Sequence, residues 1–161
     1  MRSNVLVVGL DNQFVKKIAY ELSKKVDMFF LDINDLIEYR ISNKESMQAL
    51  CGIEYYEREL RKVVCSALEF ENTIINFPYA YVLNMEYFNV IKNSKIIFLN
   101  ISKQKLECLN RKKNTSNKLT TELLAYEELV EVLQKRSSEI VDVNKCNVEE
   151  LVNKLQEVLK N

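Results

Sequence analysis

Five short runs that are apolar at almost every position limit what this chain can fold into: VLVV (5–8), MFFL (28–31), TIIN (73–76), KIIFL (95–99) and EIVDV (139–143). A strand with one face in water alternates apolar and polar residues, whereas a strand covered on both faces is continuously apolar, as in a parallel sheet. Between the runs the apolar residues take helical spacing: Phe14, Val15, Ile18, Ala19 and Leu22; Leu60, Val63, Val64, Ala67 and Leu68; Met85, Phe88, Val90 and Ile91; Leu123, Leu124, Leu129, Val130 and Leu133. A last set, Val148, Leu151, Val152, Leu155, Val158 and Leu159, follows Asn147, an N-cap residue type. Strands alternating with helices predict an α/β fold with right-handed crossovers, a three-layer doubly wound sheet of about five parallel strands.

The 161 residues, 47% of them apolar, suffice for one domain over 1–161. Lys and Arg total 23 and Asp and Glu total 23, so no basic field favours nucleic acid. The four cysteines are far apart, with no histidine to complete a metal set, and read as reduced buried thiols. No run is long enough for a signal peptide or membrane span, so a cytoplasmic location is expected, without membrane or nucleic-acid partners. With no histidine, imidazole catalysis is excluded. With two glycines and one proline, so is any site needing three or more glycines. The strongly polar tract NRKKNTSNK (110–118), carrying Arg111, Lys112, Lys113 and Lys118, reads as a solvated loop or as a lid over a phosphate site.

In such sheets ligands sit at the carboxyl ends of the strands. Those turns carry NVLVVGLDN (4–12), FFLDINDLIEYR (29–40), GIEYYERELRKVV (52–64), TIINFPYAYVL (73–83) and KIIFLNIS (95–102), and the chain closes on VEELVNKLQEVL (148–159). Together they resemble the shikimate kinase family, P-loop kinases that phosphorylate shikimate with ATP and magnesium. The resemblance implies a P-loop NTPase fold.

The family's phosphate loop reads G-x-x-x-x-G-K-[ST]. Its first glycine falls on Gly9, its second on Phe14, its lysine on Val15 and its hydroxyl residue on Lys16. Asp11, Asn12 and Gln13 lie between, and Lys17 follows. A benzyl group cannot stand where backbone N–H groups must turn around phosphate, and valine cannot supply the charge that lysine brings to it. Lys16 and Lys17 either reach a phosphate from a shifted loop or are solvated charges on the first helix.

Of the family's D-x-D pair, Asp32 keeps the first, a magnesium ligand, and Asn34 replaces the second, a shikimate ligand. Asp35 is out of phase, and Asp32 also suits an N-cap. The family's substrate-gripping arginine becomes Glu57. Two unit charges about 4 Å apart interact by roughly 4 kcal/mol at an effective dielectric of about 20, so this exchange reverses an interaction of that order. Arg61, about 40° around the helix, would compensate in part, whereas Arg58, about 100° away, would not. The triple-glycine platform becomes Phe77, Pro78 and Tyr79, and a second carboxylate-gripping arginine aligns near Val130, with Arg136 out of register.

The expected function is therefore that of a shikimate kinase-like protein with degraded ATP and shikimate sites, a noncatalytic binding or regulatory protein. It is expected to use no cofactor or metal, and to bind an unidentified protein or small molecule. Tyr55, Tyr56, Tyr79, Tyr81, Tyr87 and Phe88 would form an interface, or Phe77, Phe88 and some of the tyrosines would pack the vacated cleft; Phe14, Phe77 and Tyr79 would line any remodelled pocket. The alternative is a phosphotransferase with a rebuilt phosphate site, using ATP and magnesium with Asp32 as metal ligand or base.

Overall fold

A computed structural model describes residues 3–41, 43–113, 123–144 and 146–161. Its five strands, β1 (Val5–Val8), β2 (Phe29–Asp32), β3 (Thr73–Asn76), β4 (Lys95–Asn100) and β5 (Glu139–Asp142), form one sheet in the order β2-β3-β1-β4-β5. Every pairing is parallel, with Leu6 opposite Ile75 and Ile96, and Asp32 opposite Asn76.

All residues of β1 and β3 are buried, as are the central four of β4, so helices cover these strands on both faces. The outer strands depart from that expectation. Phe29 in β2 is 72% exposed and Ile140 in β5 is 48% exposed, because each strand has a neighbour on one side only.

The helices whose bounds lie among the described residues are α1 (Asn12–Val26), α2 (Ile33–Ile41), α3 (Lys44–Cys51), α4 (Ile53–Ala67), α5 (Tyr79–Leu83), α6 (Met85–Ile91), α7 (Lys103–Lys113), α8 (Tyr126–Arg136) and α9 (Val148–Lys160). The apolar stripe of α1 buries Val15, Ile18, Ala19 and Leu22, and the helix packs against α9 and β3. Asn147 caps α9 as expected, in a capping box with Glu150. Ile41, Tyr56, Leu60 and Val63 make a second, smaller core where α2 and α4 meet. The partly buried Leu36, Ile37 and Tyr81 pack against both cores.

The tract read as a loop at 110–118 begins inside α7, which runs to Lys113, while 114–118 lie outside the described residues. In α7 Leu106 is fully buried and its neighbours are mostly polar, so helix-favouring Lys, Gln and Arg hide the apolar spacing. The cysteines also differ from expectation. Cys51 and Cys108 are exposed, Cys65 and Cys146 are half-buried, and all four are free.

Candidate functional site

The chain leaves β1 through Gly9, Leu10 and Asp11 and enters α1 at Asn12. Asp11 takes an extended conformation, φ −102° and ψ 103°, which aims its carboxylate back along the helix. Asp11 Oδ1 accepts the Phe14 N–H at 2.9 Å, and the Asp11 carbonyl accepts the Val15 N–H at 3.0 Å. A helix N-terminus attracts anions because its first N–H groups lack partners and its dipole is positive there. Here a carboxylate of the chain itself, 5% exposed, holds that position.

Val15 is 2% exposed and belongs to the core, and the Phe14 ring lies half-buried with the Lys105 ammonium 5.5 Å from its centroid. A Cβ at Gly9 would stand 2.5 Å from Val15 Cγ2, so this glycine lets strand and helix approach each other. Lys17 faces away, into a groove shared with Lys24, Lys25 and Val152.

Lys16 is drawn into a network at the start of α2. Its ammonium lies 2.9 Å from Asp35 Oδ2 and 3.8 Å from Asp32 Oδ2. The hydrogen bond to Asp35 and the nearby Asp32 charge raise its pKa, against a smaller opposing effect of burial. Asp32 is 4% exposed. It accepts the Asp35 N–H at 2.9 Å, which caps α2, and the Asn76 amide at 2.6 Å. Asn76 also donates to Asn12 Oδ1 at 3.2 Å, tying the ends of β2 and β3 to the start of α1.

These residues do not suit a divalent cation. Of the two buried carboxylates, Asp32 already accepts from two donors beside an ammonium and Asp11 accepts the Phe14 N–H, and no group of three or more acidic, cysteine or histidine side chains converges among the described residues.

Beside this network opens a cleft of about 760 Å³. Eight residues at positions named by the family motifs line it: Gly9 and Asp11 from the β1–α1 turn, Asn12 and Gln13 from the start of α1, Asn34 from α2, Glu57 from α4, and Pro78 and Tyr79 at the start of α5; Tyr56, Tyr81 and Tyr87 line it as well. Others do not. Phe77 is 1% exposed, held by its N–H to Val7 O at 3.0 Å and by edge-to-face packing on Tyr81 at 5.8 Å. The pocket expected to be lined by Phe14, Phe77 and Tyr79 therefore retains only Tyr79 of the three.

The aromatics expected at the surface divide as well. Tyr56 and Tyr87 are buried, Tyr79, Tyr81 and Phe88 are half-buried, and Tyr55 is exposed. Tyr81 and Tyr87 lie 4.8 Å apart in the cleft wall. Burial raises the pKa of Tyr56, Tyr81 and Tyr87, and the Glu57 carboxylate raises each further.

Sequence reasoning missed Leu10, Lys44, Leu60, Ala80 and Asn84 as lining residues. The Lys44 ammonium lies 5.8 Å from the Tyr56 ring centroid and, among the described residues, is the one cation lining the cleft, against the carboxylates of Asp11 and Glu57. The expected stand-in, Arg61, is instead paired with Glu86 at 2.8 Å. Arg58 lies over the Tyr55 ring, away from the cleft as expected. Arg136 donates to the carbonyls of Val82 and Leu83, both at 2.8 Å, and so ties α8 to the end of α5. Arg111 is exposed on α7, Lys112 and Lys113 continue that helix, and Lys118 lies outside the described residues.

The family model for shikimate kinase matches residues 16–160. The chain belongs to the shikimate kinase family. That match begins after Gly9–Val15. Among solved structures, the shikimate kinase of Acinetobacter baumannii in complex with shikimate aligns with a TM-score of 0.78 at 14% identity, over 99% of this chain and 94% of that one. The shikimate kinase of Aquifex aeolicus gives 0.75 at 18%, over 98% and 96%. That of Bacteroides thetaiotaomicron gives 0.73 at 18%, over 99% of both chains. At these identities the likeness establishes the fold, a shikimate kinase-like P-loop architecture. No curated protein matches by sequence.

Proposed function

We propose that this shikimate kinase family member is a noncatalytic binding protein, a single cytoplasmic domain whose ATP and shikimate sites are degraded. The observation that carries the reading is the Asp11 carboxylate bonded to the Phe14 N–H at 2.9 Å, at the helix start where a nucleotide phosphate would need N–H donors and positive charge. Val15, at the position of the family's phosphate lysine, belongs to the core. Glu57 lines the cleft where the family places an arginine, and among the described residues the acidic groups of its lining, Asp11 and Glu57, outnumber the basic, Lys44. An anionic substrate meets repulsion at both ends of such a cleft.

A small molecule is the favoured occupant, because eight predicted site residues still converge on one concavity of a size usual for ligand sites. No step of phosphoryl transfer is assigned to Asp32, since Lys16 and Asn76 occupy its charge and lone pairs. Thermal denaturation with Mg·ATP, Mg·ADP and shikimate at millimolar concentration tests the reading. The melting temperature is expected to stay unchanged, because a ligand that binds the folded state must raise it. A dose-dependent rise with Mg·ATP would favour the phosphotransferase reading instead.

A further inference from the structure

The cleft wall opposite the β1–α1 turn is unlike one built for an acid. Tyr56, Tyr81 and Tyr87 bring their rings to it, with Tyr81 and Tyr87 4.8 Å apart, and Glu57 stands exposed beside them. Glu57 lines the same cleft as the three phenols and follows Tyr56 directly on α4. Among the described residues Glu57 makes no ion pair. The Lys44 ammonium, 5.8 Å from the Tyr56 ring centroid, shows that this wall already accommodates a cation. Aromatic faces and a carboxylate attract an ammonium ion by the same electrostatics that repel an anion. The lining also includes Gln13 and Asn34, whose side-chain amides both donate and accept and so suit hydroxyl groups.

We infer that the cleft binds a small organic amine bearing hydroxyl groups, its ammonium set between Glu57 and the tyrosine wall and its hydroxyls toward Gln13 and Asn34. The inference rests on the reading of the cleft as a binding site in a noncatalytic protein. Lys44 then acts as a tethered competitor that the ligand's ammonium displaces.

Glucosamine, glucose and glucuronate test this directly, since they share a ring and differ in charge. They are titrated into the full chain by thermal shift and by ligand-observed NMR, in a buffer acidic enough to keep the amine protonated. The expected order of stabilisation is glucosamine, then glucose, with no response to glucuronate. Glu57→Gln, at an exposed position, should weaken glucosamine about tenfold while leaving glucose unchanged. Lys44→Gln should tighten glucosamine several-fold. Circular dichroism confirms that both variants are folded. The inference is overturned by no response to glucosamine, by an equal response in Glu57→Gln, or by a preference for glucuronate. Stabilisation by Mg·ATP or shikimate would overturn the underlying reading instead, so the two failures are told apart.

Discussion

The Asp11 carboxylate accepts the Phe14 N–H at 2.9 Å, which closes the first turn of α1 with an anion that belongs to the chain. Asp11→Ala should lower stability by about 1 kcal/mol, the usual cost of losing an N-cap, and Asp11→Ser should recover most of it. Urea unfolding of the three proteins measures both. A neutral effect of Asp11→Ala would mean that the carboxylate does not hold the helix start.

Gly9 and Val15 form a second linked pair. Because a Cβ at position 9 would come within 2.5 Å of Val15 Cγ2, and a β-branched side chain is stiff, Gly9→Ala should cost about 1–3 kcal/mol. Removing the obstructing methyls with Val15→Ala should make the two changes strongly non-additive. A double-mutant cycle in urea reads the coupling. Independent effects would return Gly9 to a role in the loop rather than in packing.

Val15→Lys restores the family's phosphate lysine in name only. The side chain at position 15 is 2% exposed and packed in the core, so an ammonium there lacks both water and a partner. The substitution should cost about 4 kcal/mol or more and yield poorly folded protein. A stable Val15→Lys variant that gains affinity for Mg·ATP would show that this turn can still rearrange into a phosphate loop.

Alkaline titration reports on the tyrosine wall. Burial raises the Tyr56, Tyr81 and Tyr87 pKa values above the ordinary 10.0, so the unfolded chain ionises first as pH climbs. Their contribution to stability is complete below pH 10.0 and is lost as pH rises toward their folded values. Lys16, raised above 10.5 by its hydrogen bond to Asp35, acts in the same direction. Melting temperature should therefore fall steeply above pH 10.0, and Tyr87→Phe should flatten the slope. A pH-independent melting temperature in that range would contradict the buried wall.

The strands and the main helices were legible because continuous apolar runs and helical spacing are local properties of the chain. Which strands lie at the edges is not local, and Phe29 and Ile140 carry no mark of their exposure in the sequence. The site was legible where the resemblance named positions, as at Asn34, Glu57 and Tyr79. Asn76 was missed because its role comes from the parallel pairing that sets it opposite Asp32, 44 residues away. Phe77 was expected in the pocket, yet its backbone N–H bonds to Val7 O and carries the ring into the core, leaving Tyr81 and Tyr87 to form the wall. Lys44 lies on α3, a helix with no buried residue and therefore no apolar stripe to mark it.

The most direct test of the central claim is calorimetric titration of Mg·ATP into the wild-type chain. No saturable heat is expected up to about 1 mM nucleotide, since an internal carboxylate holds the helix start and Val15 stands where the phosphate lysine would. Saturable one-site binding with a Kd of about 100 μM or tighter, abolished by substitution of Lys16, would contradict it.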